Sequence, residues 1–138
     1  MEPPAGRLSR DADLACDFDR GSLVAVRREV ERISRERGLT DLALYRFLIA
    51  VNEIMTNAVR HGGGRGRLTL WRAGGRLFCR VDDRGPGMAP PPPYDDRPPP
   101  PDSMNGRGLW LARRNVAGFT LRTGPDGTSI TLEAGPPA

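Results

Sequence analysis

The chain predicts an α+β fold, a two-layer sandwich of one mixed, mostly antiparallel sheet with helices on one face. Strand-like runs come in adjacent pairs, and helical runs lie between the pairs. The length of 138 residues and the 38% hydrophobic content suffice for one compact core and not for two. Residues 1–9 are expected as a flexible start, 10–134 as one domain and 135–138 as a tail.

Leu14, Cys16 and Phe18 alternate with polar neighbours, as in a short half-buried strand. Ser22 is placed to cap a helix whose apolar residues Leu23, Val26, Val30 and Ile33 recur at spacings of three and four, with Gly38 as its stop. Thr40 or Asp41 opens a longer helix with the stripe Leu44, Leu48, Val51, Met55, Ala58 and Val59, ended by Gly62-Gly63-Gly64. Residues 67–72 and 76–83 read as strands joined by Ala73-Gly74-Gly75 into an antiparallel hairpin, which leaves Asp83 at a strand end. Nine of the 14 prolines fall between Pro86 and Pro101, a density that forbids a regular ladder and implies a polyproline loop. Residues 108–117 then read as a short helix stopped by Gly118, followed by strands over 119–123 and 128–133 about the turn Gly124-Pro125-Asp126-Gly127. The expected order is β-α-α-β-β-loop-α-β-β.

All 21 residues of the combined Lys and Arg count are Arg. Without Lys the chain cannot build a GxxxxGK[ST] phosphate loop, a kinase strand Lys or a pyridoxal Schiff base. His61 is the one histidine, and Cys16 and Cys79 are too few and too far apart for a zinc site or a CxxC pair. The net charge of +4 is spread among 17 acidic residues along the chain, which argues against direct nucleic-acid binding. The acidic start has no apolar signal region, and the strongly apolar run 47–51 is far short of a membrane span, so no membrane partner and a cytoplasmic location are expected. Free thiols fit a reducing compartment.

Glu53 and Asn57 stand one turn apart on the second helix, about 160–180° from the centre of its apolar stripe. They are therefore expected to point away from the core together. A carboxylate above a carboxamide suits a Mg²⁺ ion shared with nucleotide phosphates, although a merely solvated face has the same pattern. Asp83-Arg84-Gly85-Pro86-Gly87 is a turn, and a turn alone accounts for it. A carboxylate at a strand end can also accept a hydrogen bond from the amino group of adenine, with Gly85 and Gly87 letting the base come close. Gly106-Arg107-Gly108 before a helix offers free backbone N–H groups and a positive helix end to phosphate, and Arg107 adds charge.

Three boxes in this order resemble those of the GHKL (Bergerat-fold) ATPases. Glu53-Ile54-Met55-Thr56-Asn57-Ala58-Val59-Arg60-His61-Gly62 is similar to the N box, Val81-Asp82-Asp83-Arg84-Gly85-Pro86-Gly87-Met88 to the first glycine box, and Asn105-Gly106-Arg107-Gly108-Leu109-Trp110-Leu111 to the second. Short length and compact spacing resemble the anti-sigma factor serine/threonine kinases within that superfamily. The resemblance implies ATP and Mg²⁺ as cofactors, with Asn57 as Mg²⁺ ligand, Glu53 as general base and Asp83 as adenine acceptor. It places Gly85, Gly87, Met88, Gly106, Gly108 and Leu109 around the nucleotide, and residues 89–105 as the lid over the triphosphate. Kinases of this type often carry an Arg just before the second glycine box; here Ser103-Met104-Asn105 stand there, and Arg107 is the nearest substitute. The implied function is phosphorylation of an anti-sigma antagonist protein together with sequestration of a sigma factor, with a homodimer common among relatives. Two other readings are a nucleotide-gated binding module without phosphotransfer and a detached histidine-kinase catalytic domain.

Overall fold

The computed structural model describes residues 12–88 and 106–136. The expected flexible start and the proline-rich segment 89–105 lie outside the described residues. The elements are β1 (Ala12–Asp19), α1 (Leu23–Glu36), α2 (Asp41–His61), β2 (Arg65–Ala73), β3 (Arg76–Asp83), α3 (Gly106–Arg113), β4 (Gly118–Gly124) and β5 (Gly127–Glu133). The strands form one five-stranded sheet in the order β1-β2-β3-β5-β4. Each of its pairings is antiparallel, so the described sheet is not mixed.

Alternation decides which side of the sheet is dry. Leu14, Cys16 and Phe18 of β1, Leu68 and Leu70 of β2, Leu77, Cys79 and Val81 of β3, and Ile130 and Leu132 of β5 share one core with the helices. On the opposite face Trp71 and Phe78, directly paired across β2 and β3, stack with centroids 5.4 Å apart. The β2–β3 connection is Gly74-Gly75, both with positive φ (58° and 78°), the conformation that a two-residue hairpin turn requires.

α2 is the spine of the helical layer. Leu44, Phe47, Ala50, Val51, Ile54, Met55 and Ala58 are buried, a wider stripe than the sequence suggested, while Leu48 and Val59 are only partly buried. By length and composition α2 could cross a membrane, but here it supplies the core. Each fully buried Phe, Ile or Met contributes roughly 1.5–3 kcal/mol. α1 lays Val26, Val30 and Ile33 on this core, and its Arg27 Nη1 donates to Asn52 Oδ1 of α2 at 2.6 Å.

Two helix ends differ from expectation. Ser22 makes no cap to α1; its Oγ instead accepts the Asp19 N–H at 2.9 Å while Asp19 Oδ1 accepts the Ser22 N–H at 3.0 Å. The reciprocal pair has the form of a capping box moved three residues upstream. α3 stops at Arg113 rather than running to 117, because Asn115 Nδ2 takes the Leu111 carbonyl at 2.8 Å and its backbone N–H turns to Ala112 O.

Candidate functional site

The last inward-facing position of β3 is Asp83, one register step beyond Val81. At the end of the sheet the dry face gives way to polar side chains, and Asp83 is half-buried there. Its Oδ1 accepts the N–H of Gly85 at 3.0 Å and that of Thr128 at 3.2 Å. Both bonds hold the carboxylate still, and Oδ2 has no hydrogen bond among the described residues. Oδ2 is turned toward Gly62 at the end of α2, where a Cβ would stand 2.3 Å from it. The sequence marks Gly62 as a helix stop and as the end of the N-box run, and its missing side chain makes room for the Asp83 carboxylate. Gly85 meets Gly62 equally closely, since a Cβ on Gly85 would be 2.7 Å from the Gly62 Cα. Gly87 has φ +80°, and a Cβ there would strike the Gly124 carbonyl oxygen at 2.1 Å. Met88 packs its side chain on the core and donates its N–H to Thr123 Oγ1 at 3.0 Å.

Glu53 and Asn57 do not share a solvated face. Asn57 is only 7% exposed, because α3 packs across that side of α2. Its carboxamide has no hydrogen-bond partner among the described residues. The carboxamide still reaches solvent, which leaves it open to a ligand without first breaking a protein hydrogen bond. Glu53 is half-buried one turn earlier and runs against the start of α3, where a Cβ on Gly108 would lie 2.8 Å from Glu53 Oε2. Burial pushes the Glu53 carboxyl above the usual range, and the Arg60 guanidinium opposes that rise.

α3 begins at Gly106, so the N–H groups of Gly106, Arg107, Gly108 and Leu109 occupy the first turn, where a helix has no internal acceptors for them. Arg107 is exposed, whereas the Leu109 side chain is fully buried in the core and leaves only its backbone to a ligand. The first glycine box and the N-box helix thus meet at Asp83 and Gly62, and the second glycine box meets that helix at Gly108 and Glu53. A cavity of about 700 Å³ adjoins the site at Gly62 and Asp83 and continues past the sheet end along Phe18, Arg65, Asp82 and Arg84. Its size is that of an ordinary small-ligand pocket, although Glu53 and Asn57 are not in its wall.

Among the described residues no group of three or more His, Cys, Asp or Glu could hold a metal ion. The donor set does fit Mg²⁺ bound jointly with phosphate, since that ion takes one or two protein oxygens and completes its shell with water and phosphate. The unpartnered Asn57 oxygen would be the protein ligand.

No curated protein matches the chain in sequence. The fold is similar to that of the RsbU and RsbW domains of Rv1364c from Mycobacterium tuberculosis, with TM-score 0.62 and 21% identity, covering 88% of this chain and 32% of that one. It is also similar to the histidine kinase domain of the Erythrobacter litoralis EL346 blue-light activated histidine kinase (TM-score 0.50, 20% identity, 81% of this chain and 64% of that chain). A third similar structure is the Acinetobacter baumannii histidine kinase AdeS (TM-score 0.50, 16% identity, 88% and 66%). The chain spans about a third of the first neighbour's length and just under two thirds of the other two. The histidine kinase-like ATPase domain family matches residues 17–134, which takes in all three boxes. The chain belongs to that family, the GHKL ATPases, and carries its three boxes around one end of a single antiparallel sheet.

Proposed function

We propose that this protein binds ATP with Mg²⁺ and acts as a serine/threonine kinase of the anti-sigma regulator type, phosphorylating an antagonist protein and sequestering a sigma factor. The observation that carries the reading is Asn57, a near-buried carboxamide with no partner among the described residues, one turn after a carboxylate that faces the second glycine box. The RsbW domain named in one structural neighbour supports the choice of partner class.

In this reading Asp83 Oδ2 accepts a hydrogen bond from the amino group of adenine while Oδ1 stays bonded to Gly85 and Thr128. The first-turn N–H groups of α3 donate to phosphate oxygens, and the Arg107 guanidinium adds positive charge from the exposed side. Asn57 Oδ1 would hold Mg²⁺, which would supply positive charge to offset that of the phosphate groups. Glu53 takes the proton from the attacking Ser or Thr hydroxyl. Its raised affinity for protons brings it closer to neutral pH, where a general base is most effective.

Incubation with γ-labelled ATP and a Ser-bearing antagonist of the anti-sigma class tests this. Label on Ser or Thr of the antagonist, lost in Glu53→Gln while ATP is still bound, is the expected result. ATP binding with no transfer overturns the kinase assignment in favour of a nucleotide-gated binding module. Label on a histidine overturns it in favour of a histidine-kinase catalytic domain.

A further inference from the structure

Asp83, Thr128 and Thr123 stand in one row across β3, β5 and β4: Asp83 is the register partner of Thr128, and Thr128 that of Thr123. Of the three, only Asp83 has a role so far. Thr128 is 4% exposed, and its Oγ1 lies 2.9 Å from the Oγ1 of Thr123. Thr123 Oγ1 also accepts the Met88 N–H at 3.0 Å. The turn that follows Thr123 is pressed against the loop that follows Asp83. A Cβ on Gly87 would meet Gly124 O at 2.1 Å, and one on Gly127 would meet Asp83 O at 2.0 Å.

A hydroxyl has one proton and two lone pairs. Thr123 accepts the Met88 N–H with one lone pair and keeps its proton and its other lone pair for Thr128, so either hydroxyl can donate in that bond. In either direction the bond holds the Thr128 hydroxyl to one side. With Val at position 123 both constraints go at once: the Met88 N–H loses its acceptor, and the Thr128 hydroxyl is free to rotate beside the Asp83 carboxylate.

We propose that Thr123 is a positioning residue for base recognition: it orients the Thr128 hydroxyl next to Asp83 and pins the Met88 backbone at the exit of the first glycine box. The inference rests on the reading of the site as a nucleotide pocket. Thr123 acts through its neighbours, so its removal should change selectivity more than it changes the fold.

The test compares wild type, Thr123→Val and Thr123→Ser by calorimetric titration with ADP and with GDP, and by amide exchange at Met88 without ligand. Thr123→Val is expected to lower the preference for ADP over GDP about fivefold and to speed Met88 exchange by a similar factor, the effect of one ordinary hydrogen bond. Thr123→Ser restores both, which a merely space-filling role would not. Wild type that binds neither nucleotide ends the nucleotide reading and this inference with it. Wild type that binds ADP, beside a Thr123→Val protein with full selectivity and unchanged Met88 exchange, ends this inference alone. Should Thr123→Val not fold, Thr123→Ala serves as the second hydroxyl-free variant, and loss of the fold in both overturns the proposal.

Discussion

Gly62→Ala isolates the contact between the N-box helix and the first glycine box. Gly62 has φ −108° and ψ 26°, an ordinary backbone for alanine, so no conformational strain accompanies the change. The new methyl would stand 2.3 Å from both Cγ and Oδ2 of Asp83 and 2.7 Å from its Cβ. Carbon contacts relax near 3.5 Å, so the carboxylate must retreat by about 1 Å. That movement breaks the Oδ1 bonds to Gly85 and Thr128. Two hydrogen bonds to a charged acceptor, at the low end of about 1.5 kcal/mol each, less about 0.5 kcal/mol gained by restricting the unfolded chain, give a net loss of about 2.5 kcal/mol. Urea denaturation measures the loss directly. Adenine nucleotide affinity, read by calorimetry, should fall about 100-fold, since the displaced carboxylate is the proposed base anchor. Gly64→Ala is the control: Gly64 has φ +89° with nothing within 4 Å, so it costs backbone energy of about 1 kcal/mol and leaves binding alone. A Gly62→Ala protein as stable as wild type and equal in nucleotide affinity would refute the reasoning.

Asn57→Ala is expected to change folding stability by less than about 1 kcal/mol, because the carboxamide it removes reaches solvent and has no protein partner among the described residues to lose. The same variant should lose Mg²⁺-dependent ATP binding at least tenfold by calorimetry, and a large stability loss with intact binding would contradict this. Glu53→Gln tests the buried carboxylate. Because burial raises the Glu53 pKa in the folded state, the folded protein holds this proton more tightly than the unfolded one, and wild-type stability falls as pH rises from the usual glutamate value of about 4.3 through the folded value. The melting temperature of Glu53→Gln should therefore exceed that of wild type at neutral pH, with the gap closing below the carboxylate range. A gap of the same size at every pH would contradict the assigned cause.

Local patterns carried much of the fold. The alternation of Leu14, Cys16 and Phe18 gave β1 its inward face, and Asp83 fell at the end of β3 as expected. Gly66 falls outside the strand expected over 67–72, yet it belongs to β2 and must be glycine, because any Cβ there would stand 2.8 Å from Phe18 Cζ. That constraint comes from a strand 48 positions away and has no local trace. The burial of Asn57 was hidden for the same reason: a helical wheel knows only α2, and the cover is α3. Strand order is also non-local. β5 inserts beside β3 ahead of β4, and only that order sets Thr128 and Thr123 next to Asp83. Neither threonine stood out in the sequence, where the turn 124–127 drew all the interest of that region.

The antiparallel register gives the molecule two unlike poles. Asp83, Thr128 and Thr123 mark one end of their strands, while Gly74 and Gly75 close the other end of β2 and β3 with open space around them. A fluorophore or affinity tag spliced between those two glycines sits at the pole remote from ligand chemistry, in the kind of exposed turn that accepts insertions. The far hairpin is thus a ready attachment point for reporters and immobilisation, and circular permutants opened there would leave the three boxes on uninterrupted strands and helices.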